Sequence, residues 1–228
     1  MLKIENLSAT YGEGNVINNL NLIAKKGNVT CLVGRNGAGK PPTLRATMGM
    51  IKNSANELSL DGKNLLTMPT YERARYGIGY VPQGREIFQN MSVRDNLLIG
   101  LEANPSESQM PTYIFELFPI LKKFLDRKGG DLSGGQQQQL AIARALVTNP
   151  KVLILDEPTE GIQHSVIQEI GESIVSLKPK MAILIVEHYL EFVLKIADYC
   201  YLLEKGQIVL QGDINDIDQD KMKHTLAL

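Results

Sequence analysis

Apolar positions gather into short runs bounded by turn residues, and these predict β-strands at 2–7, 20–24, 29–33, 58–60, 79–81, 152–155, 182–186 and 199–203. Several of the runs carry no polar alternation, the pattern of strands covered by helices on both faces of a sheet. The early runs, joined by polar turns such as Asp61-Gly62, predict an antiparallel edge. Apolar residues recur at helical spacing over 44–50, 93–101, 113–124, 136–148, 166–177 and 189–196, several of them directly after a strand. That alternation defines an α/β fold. Residues from about 84 to 140 carry helices and loops without a strand. They read as a helical subdomain inserted into a core of residues 1–83 and 141–228, within one domain spanning 1–228. A last hairpin is expected over 201–211, turning at Lys205-Gly206.

Composition narrows the function classes. The 228 residues suffice for one generous domain, and 43% hydrophobic with 21% charged residues is the balance of an ordinary globule. A net charge of -1 gives no electrostatic footprint for nucleic acid, so no such partner is expected. Cys31 and Cys200 each sit inside an apolar run, which favours buried reduced thiols over a disulfide framework or a metal site. No stretch approaches the roughly 18 consecutive apolar residues of a membrane span.

The chemistry starts at Gly34-Arg35-Asn36-Gly37-Ala38-Gly39-Lys40, between a predicted strand and a predicted helix. In that context glycines let backbone N–H groups converge on phosphate oxygens, the helix terminus adds positive potential, and Lys40 reaches the outer phosphates. A second motif, Val152 to Pro158, is an apolar strand delivering two acids at its end. Beside a phosphate loop, Asp156 fits the acid that holds Mg2+, and Glu157 fits the general base for an attacking water.

Leu132-Ser133-Gly134-Gly135-Gln136 is the most specific feature, and it resembles the signature motif of ATP-binding cassette (ABC) ATPases. Ser133 also suits the cap of the helix that follows, and the two readings are compatible. The resemblance covers essentially the whole chain. It implies a P-loop ABC nucleotide-binding domain with a RecA-like, mostly parallel sheet core, an antiparallel β edge and a helical subdomain. Its cofactors would be ATP and Mg2+. By the same resemblance Ser133, Gly134, Gly135 and Gln136 close over nucleotide held by a second, homologous cassette. Tyr11 is placed as the aromatic that stacks on adenine, Gln83 as the glutamine near Mg2+ and the membrane partner, and His188 as the histidine that contacts the γ-phosphate. Taken singly, such residues more often pack, cap or face solvent. Gly161-Ile162-Gln163 falls where many cassettes end a loop in aspartate.

Within the family the chain is similar to ATP-binding subunits of branched-chain amino acid importers. Gln83 to Phe88, Thr159 to Gln163 and Tyr189 to Phe192 look like the urea-transport type of that group. This implies a peripheral subunit at the cytoplasmic face of the plasma membrane that energises import of urea, with branched-chain amino acids as the alternative solute, working with transmembrane permease subunits and, indirectly, a solute-binding protein. Translation and DNA-repair ATPases of the family carry two cassettes or a long coiled-coil insertion, and this chain has neither.

One departure stands out. After Lys40 the family pattern has Ser or Thr, whose hydroxyl binds Mg2+, then usually Thr; here Pro41-Pro42 precede Thr43. Proline offers neither hydroxyl nor N–H and disfavours helical geometry in the residue before it, so Lys40 and Pro41 are expected in extended conformations. Thr43 would then cap a helix that starts late, and weak Mg-ATP binding is the expected result.

Overall fold

The computed structural model describes residues 1–11, 14–102 and 110–227, without the side chains of Tyr11 and Ala227. Strands β1 (Leu2–Tyr11) and β2 (Gly14–Ala24) pair antiparallel. The chain then leaves this sheet through β3 (Val29–Val33) and α1 (Lys40–Thr47), and returns to it with β4 (Asn53–Ser54), β5 (Glu57–Leu60) and β6 (Lys63–Asn64). The order is β2-β1-β5-β6, with β4 also on β1. The expected antiparallel edge is thus a separate sheet.

Helix α2 (Thr70–Tyr76) was not predicted, because TYERARY has no apolar stripe. Its anchor is buried Arg73, which donates to the carbonyls of Ala46 (3.2 Å) and Thr47 (2.6 Å) at the end of α1, and to Met68 (2.8 Å). The Ala46 carbonyl also accepts from the Gly49 N–H (3.0 Å) and the Asn53 amide (3.3 Å), so the guanidinium closes that helix end chiefly at Thr47. Strand β7 (Ile78–Val81) follows.

The next described elements are helical: α3 (Val93–Glu102), α4 (Tyr113–Leu117), α5 (Pro119–Lys123), a 3-10 turn at Gly129–Asp131 and α6 (Gly134–Leu146). The stretch expected as one helix over 113–124 is two. Phe118, held at φ -129° and ψ 72° before Pro119, breaks it. The remainder alternates: β8 (Val152–Asp156), α7 (His164–Leu177), β9 (Ala182–Glu187), α8 (Leu190–Ile196), the hairpin β10 (Tyr199–Glu204) and β11 (Gln207–Asp213), and α9 (Gln219–Ala227).

The second sheet runs β11-β10-β3-β9-β8-β7, parallel throughout except for the β10–β11 hairpin. Every residue of β3, β8 and β9 is buried. Alternate side chains enter two cores. Val29, Cys31, Leu153, Leu155, Ile183 and Ile185 pack against the α3, α6, α7 and α8 side. Leu32, Ile154, Leu184 and Val186 pack toward α1 and the antiparallel sheet. Burial on both faces explains the unbroken apolar runs and places the loops at the carboxyl ends of β3, β7, β8 and β9 along one rim.

Candidate active site

The loop after β3 is shaped by close packing. A Cβ on Gly34 would lie 2.6 Å from the Leu203 carbonyl oxygen, so no other residue fits without displacement. Gly39 sits at φ 111° with Ile17 2.8 Å from where its Cβ would be. Lys40 is 1% exposed, and its ammonium donates to the carbonyls of Gly34 (2.7 Å) and Arg35 (3.2 Å) and lies 3.3 Å from Glu157 Oε1. The loop therefore holds its own cation, as burial of an ammonium requires.

The prolines do not bend the chain as the sequence suggests. Helix α1 already starts at Lys40, with both prolines in its first turn, and Lys40 and Pro41 are helical rather than extended. The first internal bond runs from Thr43 N–H to the Gly39 carbonyl, 3.1 Å. Nothing before Thr43 needs an N–H for the helix, and proline's fixed φ suits a first turn. Burial of Lys40, Thr43 and Leu44 outweighs the steric preference of a residue before proline. Thr43 is no cap either: it is fully buried inside the helix, and its hydroxyl donates to the Gly39 carbonyl at 2.9 Å.

The carboxyl end of β8 supplies the acids. Glu157 adopts φ 46°, and its N–H donates to the Val186 carbonyl at 2.9 Å, which turns the side chain into the rim. Its Oε1 lies 3.4 Å from His188 Nδ1, and its Oε2 accepts from Gln83 Nε2 at 3.3 Å. Gln83 also donates to Glu160 Oε2 at 3.1 Å. A cavity of about 600 Å3 opens here, walled by Asn36, Gly37, Lys40, Pro41, Glu157 and His188 among others. The phosphate loop, the glutamine, one acid and the histidine singled out in sequence thus share a single cavity.

Asp156 lies behind Glu157 and is nearly buried. Its Oδ2 is 3.5 Å from the Tyr80 hydroxyl, whereas Oδ1 has no hydrogen-bond partner. Burial first, and the neighbouring Glu157 charge second, push its carboxyl up to about 6, against the opposing pull of Tyr80, Lys40 and Arg45. An orphaned, reluctantly ionised carboxylate suits a cation ligand. The hydroxyl that would complete a Mg2+ site is missing, however: Pro41 lines the cavity and the Thr43 hydroxyl is spent inside α1. Mg2+ fits Asp156 and lacks its second hard oxygen ligand from the loop.

The remaining candidates lie apart. Ser133 caps α6: its hydroxyl accepts from Gln136 N–H at 3.4 Å, while Gln136 Oε1 accepts from Ser133 N–H at 3.0 Å, a full capping box. Ser133 and Gln136 line a different groove, beside Val166 and Glu169. A Cβ on Gly135 would meet Val166 at 2.5 Å, so this glycine allows α6 to approach α7. One on Gly134 would lie 3.4 Å from both the Gly161 carbonyl and the Arg85 guanidinium. Tyr11 belongs to β1, and its side chain lies outside the described residues.

Sequence reasoning missed several residues here. Tyr80 reaches Asp156 from the neighbouring strand. Arg85 donates to the Glu160 carbonyl at 3.0 Å and carries φ 72° between Gly84 (77°) and Glu86 (47°), a left-handed run held by Arg144 on the Glu86 carbonyl at 2.7 Å. Glu187, fully buried, ends β9 one residue beyond the strand predicted over 182–186. An acid directly after such a run, next to His188, was the available signal.

A buried parallel sheet with a phosphate loop after one strand and paired acids after another defines a P-loop nucleotide-binding protein. The ABC transporter family model matches residues 17–160, and the chain belongs to the ABC transporter family of ATPases. It is 36% identical to the high-affinity branched-chain amino acid transport ATP-binding protein BraG of Pseudomonas aeruginosa, across 92% of this chain and 91% of that one. It is 34% identical to the probable branched-chain amino acid transport ATP-binding protein LivF of Archaeoglobus fulgidus (95% and 94%). The lipopolysaccharide export system ATP-binding protein LptB of Escherichia coli is 32% identical (96% and 93%). Among solved structures, the ADP conformation of an ATP-binding cassette superposes with TM-score 0.83 at 30% identity, covering 100% of this chain and 94% of that one. No helix among the described residues is long and apolar enough to cross a membrane.

Proposed function

We propose that this chain is a motor subunit of a membrane importer whose own nucleotide site grips Mg-ATP weakly. The observation that carries the proposal is the convergence of Lys40, Gln83, Glu157 and His188 on one cavity with Pro41 in its wall. In this reading Gly34 to Lys40 receive the phosphates, Glu157 takes the proton of the attacking water, and His188 touches the outer phosphate. Asp156 and Gln83 would hold Mg2+, which would neutralise charge on the phosphates. Tyr11 stacks on adenine. Ser133 to Gln136 close over nucleotide on a second cassette, and helices α3 to α6 receive the permease subunits at the cytoplasmic face, with a solute-binding protein acting further out.

Two prolines subtract from this site. The first turn of α1 retains only the Lys40 N–H for an anion, and no hydroxyl reaches the metal. Branched-chain amino acids are the solute class the named importers support. Urea is the second reading, from the resemblance of the Gln83–Phe88, Thr159–Gln163 and Tyr189–Phe192 segments. The similarity to an export-system protein agrees with a cassette that does not itself read the solute.

The test compares ATP affinity and hydrolysis in the chain and in the P41T/P42T variant. Tighter Mg-dependent binding, by about tenfold or more, and faster hydrolysis in the variant are expected. Equal, substantial activity in both would sink the weak-site proposal, and no binding in either would remove the nucleotide reading. Uptake of labelled leucine against labelled urea in a reconstituted transporter separates the two solutes.

A further inference from the structure

The last residue of β9, Glu187, is 0% exposed, and its carboxylate is fully engaged. Oε1 accepts from the Thr159 N–H (3.1 Å) and hydroxyl (2.6 Å), and Oε2 accepts from the N–H groups of His188 (2.9 Å) and Tyr189 (3.0 Å). Three of these four partners are fixed donors, a set that an acceptor-only group satisfies and an amide of the same shape does not. Thr159 lies two residues beyond Glu157, on the turn whose left-handed start aims that acid into the cavity. His188 begins the link to α8, and its imidazole comes within 3.4 Å of the same acid. The two loops are otherwise tied at the rim by the Glu157 N–H bond to the Val186 carbonyl.

We infer that Glu187 is a positioning residue: one buried carboxylate clamps the Glu157 turn to the His188 link and thereby fixes the acid and the imidazole relative to each other. Its two oxygens are engaged by these four protein donors, and it acts through the residues on either side of it. Its catalytic consequence rests on the functional reading given above, while the clamp itself does not. A buried, charged clamp between two loops couples them: neither can move far without exposing an unpaired carboxylate.

In E187Q the amide keeps an oxygen toward one loop and turns its NH2 against the N–H donors of the other, so that loop is released. The first measurement is NMR of the Thr159, His188 and Tyr189 amides in the unaltered chain and in E187Q. Protection of at least one side of the clamp should fall by about tenfold or more. Unchanged protection on both sides refutes the clamp. If E187Q does not fold, T159V removes a single donor and should give a smaller change in the same direction, with no change again refuting it.

The second measurement is ATP turnover in the P41T/P42T background. E187Q should lower kcat by about tenfold or more while the ATP Kd stays within about threefold, and E187Q/H188A should lose no more than H188A alone. Additive losses, or a lower kcat accompanied by a higher Kd and a lower melting temperature, would reduce Glu187 to a structural residue. A P41T/P42T chain that does not hydrolyse ATP counts against the functional reading alone, and the amide measurement then decides the clamp.

Discussion

Replacing Asp156 with Asn should stabilise the nucleotide-free chain, with a pH dependence that identifies the cause. The carboxyl is raised from 3.8 to about 6, chiefly by burial and then by Glu157. A raised acid favours folding while protonated, so its contribution is fully present below about pH 4 and is lost as pH rises through about 6. Two units correspond to roughly 3 kcal/mol, and allowing for residual solvation the penalty at pH 8 is about 2 kcal/mol. Asn keeps the shape and removes the charge. D156N should therefore be more stable than the unaltered chain by about 2 kcal/mol at pH 8, and by almost nothing at pH 4. Urea unfolding of both proteins at pH 4, 6 and 8, without nucleotide or divalent cation, measures the difference directly. A difference independent of pH, or a less stable D156N at pH 8, would refute the reasoning. Repeating the pH 8 measurement with Mg-ATP should narrow or reverse the gap, because binding to the folded state then favours the carboxylate.

Three further outcomes follow from packing and capping. S133A removes the acceptor for the Gln136 N–H and should cost about 1 kcal/mol in urea unfolding; an unchanged midpoint would mean that the capping box contributes nothing. G34A forces a Cβ to within 2.6 Å of the Leu203 carbonyl and should cost about 1–3 kcal/mol and abolish ATP binding, so wild-type melting and affinity would contradict the packing described. R73M leaves the Thr47 carbonyl at the end of α1 without its guanidinium donor, while the Ala46 carbonyl keeps the Gly49 N–H and the Asn53 amide, with an expected loss of about 1–3 kcal/mol by thermal or urea unfolding; a stable variant would show that water replaces the guanidinium.

Strands such as β3 and β8 were legible because burial on both faces leaves an unbroken apolar run between turn residues. Helix α2 was not, since its stability comes from one arginine closing a different helix, a tertiary contact without a periodic trace. The same contrast holds in the site. Gly34 to Lys40 and Asp156-Glu157 declare themselves by spacing, and Gln83 and His188 gained meaning only from their order around those motifs. Glu187 belongs to no motif, because three of its four donors are backbone N–H groups, which every sequence carries. The conformation of Pro41-Pro42 was misjudged by weighing a pairwise steric preference above the position of the first helical hydrogen bond, which begins only at Thr43.

That position has a cellular consequence. Quality control senses unfolding, and no hydrogen bond of α1 is donated by the two residues ahead of Thr43. Substitutions at these two positions that leave the first turn helical should therefore change turnover more than abundance. Lost chemistry at this turn would surface as assembled complexes running slowly in proportion to the altered subunit's share, and not as a missing protein.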